Sequence, residues 1–171
     1  MSSSDKNLSD FGNKEIPDAS ALSFGIISAE WNETITAALY KGCYETLVKH
    51  GADTKNIHSI WVPGTFELPV GAKMLAQSQK LDAVICLGCV IKGETSHNEY
   101  INLSVANALQ QMSIVSGKPF IFGVLTPNDM QQAIDRAGGI HGNKGDEAAV
   151  TAIKMAALRK SLAEPEKKIG F

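Results

Sequence analysis

The chain divides into short apolar runs and longer stretches with helical spacing. "LSFGIISA" (Leu22–Ala29) is a compact apolar run with adjacent isoleucines and predicts a buried strand. From Thr34 to His50, apolar residues recur at Ile35, Ala38, Leu39, Cys43, Leu47 and Val48, the spacing of one helix face, and Gly51 supplies the stop. "IHSIWV" (Ile57–Val62) predicts a second strand closed by the Pro63-Gly64 turn. "FELPVGAKMLAQS" then predicts a helix with Pro69 in or near its first turn, where a missing N–H does little harm. "LDAVICLGCVI" (Leu81–Ile91) is apolar on both faces and predicts a central strand. His97–Ser116 predicts a long helix with Ile101, Val105, Ala108, Met112 and Val115 on one stripe, and "KPFIFGVLT" predicts a fourth strand. Helical patterns close the chain at Asn128–Ala137 and Asp146–Leu162, separated by the linker "GGIHGNKG".

Strand and helix alternate throughout. The expected fold is therefore α/β: a three-layer αβα sandwich whose four-stranded sheet is mostly parallel, with helices on both faces. In such sheets ligands bind beyond the carboxyl ends of the strands. Four segments should then converge on one edge: "EWNET", "VPGTFE", "IKGETSH" and "LTPND".

Length and composition narrow the picture. With 171 residues, 44% hydrophobic and 20% charged, the chain fits one globular domain. That domain is expected over residues 22–163, between a polar tail at 1–21, mobile at least to Lys14, and a short tail at 164–171. A net charge of −2 gives no basic footprint for nucleic acid. No apolar run approaches the roughly 20 residues of a membrane span. Residues 1–20 have neither the apolar core of a signal peptide nor the arginines of a transit peptide. Three cysteines make no disulfide framework, so a reduced, cytoplasmic location is expected.

Chemically able groups concentrate in "CVIKGETSHNEYI" (Cys89–Ile101). A zinc deaminase reading of His97, Glu99, Cys86 and Cys89 fails, because that chemistry places its cysteine pair after the H-x-E and at a helix start. A redox pair fails as well, since no helix N-terminus lies beside either thiol. Gly93 allows close backbone approach, and the N–H groups of Glu94, Thr95 and Ser96 lie where a helix begins. That arrangement suits a phosphate, and it equally suits an ordinary N-cap by Thr95 or Ser96. His97, at the same helix start, is either a plain helix-start residue or a general base, the dipole there favouring the neutral imidazole. Trp31 offers a flat surface suited to stacking on a heteroaromatic ring. Arg136 and Lys144 have no obvious place in the crevice of their own chain.

Five motifs in order identify a family resemblance: "EWN", "IWVPGTFELP", "CLGCVIKGETSHNEY", "FIFGVLT" and "QAIDRAGGIHGNKGDEAA". Together they resemble the lumazine synthases of riboflavin biosynthesis, over about residues 22–160. The resemblance implies a flavodoxin-like sheet and a transferase. Its substrates would be 5-amino-6-(D-ribitylamino)uracil and 3,4-dihydroxy-2-butanone 4-phosphate, and its products 6,7-dimethyl-8-ribityllumazine, phosphate and water. It implies no cofactor and no metal.

By position, the resemblance puts Trp31 on the pyrimidine ring with Asn32 beside it. Gly64, Thr65, Phe66 and Glu67 would hold the ribityl chain, and Val90 and Ile91 would contact the ring. Gly93, Glu94 and Thr95 would face the phosphate, and His97 would shuttle the proton. From a neighbouring subunit would come Phe122 over the ring, Arg136 on the phosphate, and Lys144. The implied assembly is a homo-oligomer with shared sites, a pentamer that the short linker favours docking into an icosahedral shell, with riboflavin synthase as a possible partner. Three positions depart from the family pattern: Trp31 stands for a common phenylalanine, Lys92 for a common arginine, and Glu94 for a small residue. Two rivals remain: a non-enzymatic lumazine- or flavin-binding relative, and a flavodoxin-type electron carrier, for which the first loop lacks a hydroxyl- and glycine-rich phosphate cradle.

Overall fold

A computed structural model describes residues 7–12 and 15–163. The predicted tails at residues 1–6, 13–14 and 164–171 lie outside the described residues. Four parallel strands, β1 (Phe24–Ala29), β2 (Ile57–Val62), β3 (Ala83–Cys89) and β4 (Phe120–Leu125), form one sheet in the order β2-β1-β3-β4. The registers are regular, with Ser28 opposite both Trp61 and Leu87, and Cys89 opposite Leu125. β1 and β3 are buried along their whole length. The centre of a sheet covered on both faces is where strands buried at every position belong.

Alternate residues of these strands feed two cores. Phe24, Ile26, Ile85 and Leu87 pack beneath α1 (Glu33–Lys49) and α5 (Lys144–Ala163), through Leu39, Cys43, Leu47, Ala149 and Ile153. Ile27, Val84 and Cys86 pack beneath α2 (Leu68–Ser78) and α3 (His97–Ser116), through Leu68, Ala72, Leu75, Val105 and Leu109. Each fully buried Leu or Ile contributes about 1.5–3 kcal/mol, so the sheet is fixed from both sides. Ala19 is also buried and Ile16 packs on the first core, so packing reaches into residues assigned to the tail by pattern alone.

The helix faces differ in detail from the pattern. In α1, Thr36 and Thr46 are buried where Val48 is exposed. In α3, Leu109 lies in the core while Val115 is 87% exposed. The reason is rotation: Val115 lies about 80° round the helix from Val105 and about 120° from Leu109, off the buried face.

The end of the chain also departs from expectation. The fourth helix is shorter than Asn128–Ala137: α4 spans Met130–Asp135, because the Asp129 side chain accepts the Gln132 N–H at 2.8 Å and caps it there. The linker is a small antiparallel hairpin, β5 (Ala137–Gly139) and β6 (Gly142–Asn143). Gly138 and Gly142 supply its left-handed turns at φ 112° and 79°. α5 starts at Lys144 rather than Asp146, since the Asn143 carboxamide oxygen accepts the Gly145 N–H at 2.7 Å.

Candidate active site

The strand order reverses between β1 and β3, and a crevice opens at the carboxyl ends of these strands, as the topology requires. It is a cavity of about 630 Å³. Three of the four expected segments form it. Trp31 and Asn32 come from the β1–α1 loop, Gly64, Thr65, Phe66 and Glu67 from the turn after β2, and Cys89 to Ile101 from the β3–α3 connection. The fourth segment, "LTPND", does not line it, because β4 is an edge strand one step from the reversal. It supports the crevice from behind. The Val90 N–H donates to the Leu125 carbonyl and the Lys92 N–H to the Pro127 carbonyl, both at 2.9 Å.

The first loop is held in the same way. The Glu30 N–H donates to the Val62 carbonyl at 2.8 Å and the Trp31 N–H to the Pro63 carbonyl at 3.1 Å. Asn32 then turns the chain into α1 with left-handed geometry, φ 61° and ψ 46°, a conformation asparagine tolerates better than most residues. Its carboxamide donates to the Cys89 carbonyl at 2.9 Å, tying the β1 loop to the end of β3. The Trp31 ring, 72% exposed, stands at the mouth with its face available.

The turn after β2 is a 3₁₀ turn, Thr65–Glu67, that presents Phe66 and Glu67 to the cavity. It sits where it does because of Gly88. A Cβ on Gly88 would meet Thr65 Oγ1 at 2.7 Å and both Leu68 Cδ1 and Thr65 Cγ2 at 3.0 Å. The missing side chain in β3 is therefore the seat of the buried Thr65. Nothing in the apolar pattern of β3 flagged this glycine. Its position inside an otherwise bulky strand run was the available signal.

In the β3–α3 connection, a Cβ on Gly93 would meet no protein atom within 4 Å, so the space before it belongs to the crevice. The Thr95 hydroxyl accepts the His97 N–H at 3.4 Å, whereas Ser96, the residue before α3, makes no side-chain cap. Thr95 and His97 line the cavity; Glu94 is exposed and does not. Asn98, Tyr100 and Ile101 also line it, three residues that the motif reading passed over.

The remaining candidates lie elsewhere. Phe122 and Lys144 line a second cavity of about 540 Å³ between β4, α3 and α5, where the Lys144 ammonium pairs with Glu147 at 3.1 Å. Arg136, at the end of α4, lines neither cavity and donates to the Gln132 carbonyl at 3.3 Å. Cys86 and Cys89 lie within β3 with their side chains in opposite cores. Burial pushes the Cys89 thiol up to about 11 and raises Cys86 further, so both stay protonated at neutral pH. Among the described residues no helix is long and apolar enough to cross a membrane.

Known proteins match this chain over most of its length. The family model for 6,7-dimethyl-8-ribityllumazine synthase matches residues 21–160. The chain is 56% identical to the 6,7-dimethyl-8-ribityllumazine synthase of Cytophaga hutchinsonii over 157 residues, covering 92% of this chain and 98% of that protein. It is 51% identical to the enzyme of that name from Parabacteroides distasonis, covering 91% and 97%. With that from Flavobacterium johnsoniae it shares 47%, covering 94% and 84%.

Proposed function

The chain belongs to the 6,7-dimethyl-8-ribityllumazine synthase family, and on that footing we propose that it makes this lumazine in riboflavin biosynthesis. It is a transferase. It condenses 5-amino-6-(D-ribitylamino)uracil with 3,4-dihydroxy-2-butanone 4-phosphate and releases phosphate and water. The observation that carries the reading is one cavity holding an exposed indole, a carboxylate and an imidazole at the strand-order reversal: Trp31, Glu67 and His97.

Each group has a task in this chemistry. Trp31 stacks on the pyrimidine ring, with Asn32 and the Val90–Ile91 backbone along its edge. Glu67 accepts hydrogen bonds from the ribityl hydroxyls, held by the turn Gly64–Glu67. The amine of the uracil attacks the butanone carbonyl, and water leaves to give an imine. A proton then leaves the carbon next to the phosphate-bearing one, and phosphate departs from its neighbour. Tautomerisation regenerates a carbonyl, and the ribityl-bearing nitrogen closes the ring with loss of a second water. His97 lines the same cavity as Gly93 and Thr95, four and two residues before it, so the proton acceptor and the phosphate-facing backbone adjoin, as the elimination requires. Imine formation and elimination make and break their bonds with no help beyond proton transfer, so the proposal needs no metal and no organic cofactor. Holding two substrates in register supplies much of the acceleration.

The assembly follows from where the other candidates lie. Phe122, Lys144 and Arg136 sit outside the crevice of their own chain, which favours a ring in which one subunit's β4 and α4–α5 region completes its neighbour's site. Leu103, Ile114 and Val115 leave apolar side chains exposed along α3. A pentamer is the reading, and the short β5–β6 connection favours docking of pentamers into a shell in the cytoplasm, with riboflavin synthase as a partner.

The test is direct. Mixing both substrates should raise lumazine absorbance and release phosphate in step; binding without turnover would instead mean a non-enzymatic relative. His97→Ala chains mixed with Arg136→Ala chains, each impaired alone, should regain part of the activity. No recovery after verified subunit exchange would mean that each chain builds its site alone.

A further inference from the structure

We infer that Asn98 is a second recognition residue for the ribityl chain, the hydrogen-bond donor that complements Glu67. The inference rests on the reading of the crevice above and adds a residue to it. A polyol hydroxyl both donates and accepts, and an ionised carboxylate can only accept. Glu67 therefore satisfies half of what such a chain presents, and a buried hydroxyl left without an acceptor or donor weakens binding.

The other polar side chains of the wall are each bonded, enclosed or given another task. The Asn32 carboxamide donates to the Cys89 carbonyl. The Thr65 hydroxyl is buried and seated against Gly88. The Thr95 hydroxyl accepts the His97 N–H and lies in the phosphate-facing turn. His97 is assigned to the proton. Asn98 lines the cavity, is half-buried, and is the neutral amide that makes no side-chain hydrogen bond among the described residues.

Its place on the helix fits. Asn98 lies 100° round α3 from His97, close to the centre of the stripe that carries the buried Val105 and Leu109. That stripe turns α3 toward the interior, so at its first turn, above the core, the same face meets the crevice beside the Thr65–Glu67 turn. Tyr100, the third hydroxyl on the wall, is 73% exposed and lies about 160° round α3 from Asn98.

The test compares two ligands by calorimetry. One is 6,7-dimethyl-8-ribityllumazine, and the other is the same bicycle with a methyl group in place of the ribityl chain. Asn98→Leu keeps the branched shape and the number of heavy atoms and removes the amide. It should weaken the ribityl ligand about threefold to tenfold, the loss of one neutral hydrogen bond, and leave the methyl ligand within about twofold. Asn98→Ser, milder and polar, should recover part of the loss, and it carries the test if the leucine variant folds poorly. Equal losses for both ligands, or none for the ribityl one, would overturn the assignment. Should the wild-type protein itself fail to prefer the ribityl ligand, the ribityl reading of the crevice would fall, a result visible before any variant is made.

Discussion

Adding one methyl group to Gly88 should disturb the binding wall from below. In Gly88→Ala the new Cβ lies 2.7 Å from Thr65 Oγ1, where ordinary contact begins near 3.4 Å, a shortfall of about 0.7 Å. Two further atoms, Leu68 Cδ1 and Thr65 Cγ2, stand at 3.0 Å. Thr65 cannot rotate away cheaply, because it is buried beneath its own turn. The turn must therefore lift. Overpacking of this kind costs about 1–3 kcal/mol of stability. Lifting Phe66 and Glu67 by several tenths of an ångström should also loosen the ribityl wall, since a misplacement near 1 Å can cost about 100-fold. A rise of roughly 3- to 30-fold in KM for the uracil substrate is expected, with KM for the butanone phosphate little changed. Urea unfolding and steady-state kinetics on the same preparation measure both effects. Lost stability with wild-type KM would refute the coupling, because the turn would then be placed by something other than Gly88.

Three further outcomes follow from the site. His97→Ala should slow turnover by roughly 10- to 1,000-fold with near-normal folding, and a smaller drop in kcat would make it an orienting group. Trp31→Ala should weaken the uracil ligand by about 1–3 kcal/mol, the usual worth of stacking a base on an aromatic ring, while Trp31→Phe should stay near wild type by calorimetry. Stability should fall as pH rises above the ordinary thiol value of 9.0, because Cys89 ionises in the unfolded chain there but not, until about 11, in the folded one. Below 9.0 that contribution is complete, and Cys89→Ala should flatten the alkaline part of a urea-midpoint profile relative to the wild type.

Much of the architecture was legible because burial and periodicity coincide. β3 carries no polar residue, so its central placement followed from the sequence, while β1, interrupted by Ser28, read only as buried; the loops after both strands meet at the crevice. The hairpin at Ala137–Asn143 was not legible, for a glycine-rich stretch carries no hydrophobic period. Val115 was placed on the apolar stripe by its spacing, but the face that meets the sheet is centred on Val105 and Leu109, and Val115 lies to one side of it. Gly88 and Asn98 were missed for different reasons. The first acts through a contact between distant segments, and the second sits in a motif beside a histidine that drew all the attention.

The crevice loops tied to the sheet edge have a consequence for how the empty site behaves. Glu30, Trp31, Val90 and Lys92 each continue the strand hydrogen bonding beyond the last residue of the sheet. Their amide protons should exchange with solvent on the slow timescale of strand interiors rather than the fast one of surface loops. A wall ordered before the ligand arrives has little conformational entropy left to lose when it binds. The backbone from Gly93 to Ser96 lacks such ties apart from the Thr95 hydroxyl. Deuterium uptake should therefore drop on phosphate binding in this one turn, while the ring-facing wall shows almost no change.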